Sequence, residues 1–212
     1  MTIHKLFGII RRYLALFQKE VICLKLVTIQ PIEVLAALRK TGTFSSSYAE
    51  TIGIEEDCRN QISNAFAWYI DQMKARVGAA PDGVYYPIWA WYKNDDSSLY
   101  DDTWGEAGKT YARIEIEVED ERVLLSDFTE WHNPLNNSPC CEGETDEELD
   151  ASYDAIVAGG EEAIKESWSK IFDVSKSDCI QATFWELRSE DILSYGTFVS
   201  KGSSFDTEEL DA

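Results

Sequence analysis

Residues 111–118 alternate strictly. Ala112, Ile114, Ile116 and Val118 fall on one side and Arg113, Glu115 and Glu117 on the other, the period of a strand with one buried face. Leu24-Lys25-Leu26-Val27-Thr28-Ile29 alternates in the same way and is rich in β-branched residues. Cys179 to Leu187 reads as a further strand, with Gln181, Thr183 and Trp185 on one face and Ala182, Phe184 and Glu186 on the other. Tyr86-Pro87-Ile88-Trp89-Ala90-Trp91-Tyr92 is extended, its proline marking a strand start or an edge. The Glu119-Asp120-Glu121 turn leads into a short strand ending at Asp127.

Between these runs the period changes to that of helices. Ile62, Phe66, Tyr69, Ile70, Met73 and Val77 form one stripe, predicting a long helix over 56–77 that stops at Gly78. Pro31 is suited to the first turn of a helix whose apolar face is Ile32, Leu35, Ala36 and Leu38 and whose end is Gly42. Thr145 and Glu148 form a capping box for a helix to about Ala158, and Gly159-Gly160 separates it from a helix carrying Ile164, Trp168, Ile171 and Phe172. Ser189 is expected to cap a short helix through Leu193. Interspersed helices and strands, with an antiparallel pair and no run of βαβ units, predict a single α+β domain with a mixed or mainly antiparallel sheet. Its expected span is 24–196, between an amphipathic basic helix over 1–23 and an acidic, mobile tail over 197–212.

Charge narrows the choice of partners. Nineteen Lys and Arg against 39 Asp and Glu leave a net charge of −20, which disfavours duplex nucleic acid on a broad basic face and suits a basic protein partner. The first 25 residues reverse that sign. Their face of Ile3, Leu6, Phe7, Ile10, Leu14 and Phe17 would dock on the acidic body or lie at a membrane surface. No stretch reaches the ~18 apolar residues of a membrane span. Five cysteines without a C-x-x-C pair, and no secretory signal, point to reduced thiols in the cytoplasm. His132 and the Cys140-Cys141 pair lack zinc-site spacing, so no metal is assigned.

Phosphate-loop, dinucleotide, zinc-protease and serine-hydrolase motifs are all missing. Five other segments are distinctive: Thr28-Ile29-Gln30-Pro31; Tyr86 to Trp91; Leu124 to Phe128 with Trp131-His132; Glu166-Ser167-Trp168 with Ile171-Phe172; and Gln181 to Leu187. In this order they resemble a family of bacterial and phage-borne proteins grouped as a domain of unknown function. The resemblance spans about Lys25 to Leu193 and implies kinship rather than an activity.

Each segment sets polar groups beside tryptophan. Glu186 next to Phe184 is either a carboxylate paired with Arg113 or Arg188, or a group that orients a ribose hydroxyl or acts as a base. Gln30 caps locally or reaches a ligand, and Asp127 caps a helix or binds. His132 is a hydrogen-bonding residue or a catalyst. The outline is similar to that of ADP-ribosyltransferases, although Gln30 stands where those enzymes carry His or Arg. On that reading Glu186, Gln30 and His132 are catalytic, and Trp89, Trp91, Asp127, Trp131 and Gln181 hold NAD. The alternative is a non-enzymatic acidic protein, an antitoxin, inhibitor or immunity-like molecule, binding a basic partner. A third reading is a nucleotide or nucleic-acid processing enzyme with a local aromatic cleft. An enzyme should gather these residues round one pocket with Trp89, Trp91, Trp131 and Trp185 clustered. An interaction protein should disperse them and present one acidic or apolar surface.

Overall fold

A computed structural model describes residues 21–46, 56–94 and 101–202. In chain order the elements are β1 (Cys23–Pro31), α1 (Glu33–Thr41), β2 (Thr43–Phe44), α2 (Glu56–Arg76), β3 (Ile88–Asn94), β4 (Thr110–Glu119), β5 (Leu124–Asp127) and α3 (Phe128–Leu135). Then come α4 (Asp146–Ala158), α5 (Gly160–Ser167), a 3-10 turn (Trp168–Phe172), β6 (Cys179–Phe184), β7 (Leu187–Arg188) and β8 (Ile192–Val199). Six strands form an antiparallel sheet in the order β5-β6-β3-β1-β4-β8, and β2 pairs with β7 in a small second sheet. The fold is α+β in one domain. The N-terminal helix expected over 1–23 lies almost wholly outside the described residues.

The main sheet must curl. β4 and β5 stand fifth and first in the order, a separation of about 19 Å if flat at ~4.8 Å per strand. The five residue steps from Glu119 to Leu124 include the 3-10 turn Asp120–Arg122 and reach only about 13 Å. On the concave side Ala112, Ile114, Ile116 and Val118 of β4 therefore share one core with Ala182 and Phe184 of β6 and with Val34, Leu35 and Leu38 of α1. The alternation read in 111–118 is realised in full, since all four of those β4 side chains are completely buried. On the other side, over β5, β6 and β3, Ala65, Tyr69 and Met73 of α2 meet Trp131, Trp168 and Trp185 in a second core.

Several boundaries differ from the sequence expectation. Pro31 closes β1 opposite Tyr111 instead of opening a helix, because the Ile32 N–H still donates to Thr110 and α1 can begin only afterwards. Gly42 does end α1, in the left-handed conformation at φ 80° that a side chain would resist. The strand expected to run from Cys179 to Leu187 breaks after Phe184. There the Trp185 indole donates to the Gly78 carbonyl and Arg122 donates to the Glu186 carbonyl, and the chain leaves for the second sheet. Ser189 opens only a single 3-10 turn. Its hydroxyl donates to the Leu38 carbonyl, and β8 follows from Ile192. β8 then carries the chain past Gly196, and Ser200 is buried, so residues 197–202 belong to the body instead of a tail. Among the described residues no helix is long and apolar enough to cross a membrane.

Candidate functional site

Tyr69 is the centre of the aromatic core. Its ring lies 5.0 Å from both Trp89 and Trp131, and Trp89 and Trp131 are 5.8 Å apart. Phe66 meets both indoles edge-on, so buried Trp131 and partly buried Trp89 pack into this core. The Tyr69 hydroxyl is 3.0 Å from Ser126 Oγ and 3.0 Å from Thr183 Oγ1, while Thr183 also reaches the Leu124 carbonyl. Burial pushes the phenol up to about 12, against the downward pull of those two hydrogen bonds. Tyr69 therefore stays neutral and ties α2 to β5 and β6.

The predicted site residues do not form one ring. Trp91 contacts Trp104 and Phe128, at 6.2 and 4.9 Å, and not the Trp89–Trp131 pair. Trp185 belongs to the same core as Trp131 but is anchored at Gly78. Four tryptophans expected to cluster thus divide between a core and a half-exposed group.

Gln181 lies opposite Trp91 on one side and Ser126 on the other, and its Nε2 is buried without a hydrogen-bond partner. Exposed His132 bonds through Nδ1 with the Phe128 carbonyl one turn back, and its ring meets that of Phe128. These groups lie near the β5 end marked by Asp127, which is opposite Ile180.

Gln30 and Glu186 lie at the other end of the sheet. Four residue steps of β6 separate Ile180 from Phe184, where the strand ends, roughly 13 Å of extended chain. Gln30 donates from Nε2 to Thr28 Oγ1, and Thr28 donates to the Trp89 carbonyl. Half-buried Glu186 contributes its backbone carbonyl to Arg122. The ion pair of Arg122 is with Asp191 and that of Arg188 is with Glu190, so the pairing expected between Glu186 and Arg113 or Arg188 does not form.

Asp127 combines a local and a surface role. Its Oδ1 accepts the Glu130 N–H at 2.9 Å, capping α3, and it also lines an open groove of about 730 Å³. The groove brings together Asp127, Glu130, Glu142, Glu144, Glu148 and Asp173, with Lys170 and Lys176 as its basic residues. Glu148 Oε2 is committed to the N–H groups of Glu144 and Thr145 in the capping box read from the sequence. Asp173 accepts from Ser175, which holds its carboxyl below the ordinary range. Lys170 donates to the Cys141 carbonyl.

The Glu142 and Glu144 carboxylates have no hydrogen-bond or ion-pair partner among the described residues. Burial, reinforced by the Glu130 charge, pushes the Cys140 thiol beside the groove up to about 12, which keeps it protonated at neutral pH. Among the described residues no three His, Cys, Asp or Glu side chains converge as metal ligands.

The groove draws on β5, α3, the 142–148 segment and the stretch after Phe172. Of these groups, only Asp127 and Glu148 carried a local signal, as caps.

A family model described as a domain of unknown function (DUF3841) matches residues 25–193. No curated protein and no solved structure matches the chain.

Proposed function

We propose that this chain, which belongs to the DUF3841 family, is an acidic interaction protein that captures a basic segment of a partner protein in the groove beside α3. One observation carries the reading. The polar and aromatic residues of the distinctive segments are dispersed over two cores and two ends of the sheet, while the concavity at Asp127 sets six carboxylates against two lysines. Spread carboxylates of this kind suit several cationic groups on one chain better than a single metal ion, which needs converging ligands. Glu142 and Glu144 are available for new ion pairs, while Asp127, Glu148 and Asp173 are held in place by bonds to the backbone or to Ser175. A net charge of −20 adds long-range attraction, which raises association rates more than it raises final affinity.

Calorimetric titration of the full chain with an arginine-rich peptide, at low and at physiological salt, tests this. Binding should weaken steeply with salt. It should fall at least tenfold in the triple variant Glu142→Gln, Glu144→Gln, Asp173→Asn. A control of equal charge, Asp82→Asn, Asp150→Asn, Asp154→Asn, should retain most of it. Equal losses in both variants would mean diffuse charge and no groove. NAD binding that Glu186→Gln abolishes would favour the ADP-ribosyltransferase-like reading instead.

A further inference from the structure

β8 is one edge of the six-stranded sheet, and what it presents there is unusual for an edge. Its eight residues, Ile192-Leu193-Ser194-Tyr195-Gly196-Thr197-Phe198-Val199, include no charged side chain and no proline, in a chain that is 27% charged. Exposed edges are ordinarily guarded by lysine, proline, shortness or a bulge, since their free N–H and C=O groups would otherwise pair with another strand. The opposite edge, β5, is guarded: it is four residues long and runs into α3. β8 has a register irregularity only at its start, opposite Glu115 and Ile116, and is regular from Ser194 to Val199. Leu193, Tyr195 and Val199 are 53%, 48% and 57% exposed.

The positions of these side chains select the occupant. In an antiparallel pair of identical strands centred on Gly196, Leu193 stands opposite Val199 of the other copy, and Tyr195 opposite Thr197. The two-fold axis repeats both pairs. Each sets an exposed apolar or aromatic side chain against a β-branched one, a stabilising cross-strand combination. The residue on the axis is the one without a side chain, and β8 itself brings no charge to the seam, the nearest being the Arg39 guanidinium that donates to the Tyr195 hydroxyl at 3.0 Å. We propose that β8 pairs with β8 of a second copy of this chain, joining two six-stranded sheets across a two-fold axis at Gly196. This interface is separate from the acidic groove and does not depend on it.

Sedimentation equilibrium of the full chain should give twice the 24.1 kDa of one copy. Leu193→Lys and Val199→Lys each place two lysines in the seam and should return the mass to that of a monomer with an unchanged circular dichroism spectrum. Both substitutions lower the net negative charge, so loss of the dimer could not come from added repulsion between copies. Gly196→Cys fixes the register. A Cβ there meets nothing within 4 Å, and paired residues on an antiparallel axis have Cα atoms ~4.5–5.5 Å apart, within disulfide range. Under a mild thiol oxidant this variant should form a covalent dimer that the wild-type chain, with its native cysteines, does not. A monomeric wild-type chain, a dimer that survives both lysine variants, or no cross-link beyond the wild-type background would each overturn the proposal.

Discussion

Arg122 holds Asp191 through two parallel bonds, Nη1 to Oδ1 at 2.7 Å and Nη2 to Oδ2 at 2.9 Å. The pair is nearly enclosed, and the same guanidinium donates to the Glu186 carbonyl while Asp191 accepts the Arg188 N–H. It joins the β4–β5 connection to the turn before β8, across the opening of the curled sheet. Removing one partner of a buried pair leaves the other charge uncompensated, typically at about 3–5 kcal/mol. Arg122→Met should therefore lower the urea midpoint far more than Lys74→Met, whose pair with Asp71 is exposed and contributes little.

Two buried groups make the fold sensitive to alkali. The folded chain keeps Cys140 protonated to about 12 against an ordinary 9.0, and Tyr69 to about 12 against 10.0. Unfolding releases those protons once the pH exceeds the ordinary values. Their stabilising contributions are complete below about pH 9 and are lost as pH climbs towards about 12. Urea midpoints should fall over that window. Cys140→Ala should flatten the early part of the fall, and Tyr69→Phe the part above about pH 10. Identical pH profiles for all three proteins would count against both assignments.

The unpartnered amide of Gln181 makes a stability measurement informative about function. A buried donor without an acceptor costs roughly 1–3 kcal/mol, so Gln181→Met, close in volume, should raise stability by about 1 kcal/mol. If Gln181 instead serves a bound molecule, the variant should be more stable yet fail to gain the stabilisation that the ligand gives the wild type. Thermal melts with and without NAD separate these outcomes.

Caps supply a local control. Asp127→Ala removes the acceptor of the Glu130 N–H, and Thr145→Ala removes the acceptor of the Glu148 N–H. Each should cost about 1 kcal/mol in chemical unfolding. Only Asp127→Ala should also weaken capture of an arginine-rich peptide, because Thr145 does not line the groove.

Local periodicity was enough to identify which side of β4 is buried, where α2 carries its stripe, how α4 is capped and where α1 stops. In each case the signal lies within a few residues, because strand alternation, helical spacing, capping boxes and terminal glycines are set by short-range geometry. The order of the strands was not legible. It follows from the curl that lets five residue steps join the fifth strand to the first, which depends on cores formed by residues far apart in sequence. For the same reason Glu186 looked like part of an aromatic strand face. Only the anchoring of Trp185 at Gly78 and of Arg122 at the Glu186 carbonyl shows the chain turning away there. Composition announced an acidic protein, but the sequence scattered the groove's carboxylates over separate segments that only tertiary packing brings together. The neutrality of residues 192–199 was likewise plain in the sequence. Its meaning depends on β8 being an edge, which the pairing of β4 with both β1 and β8 decides.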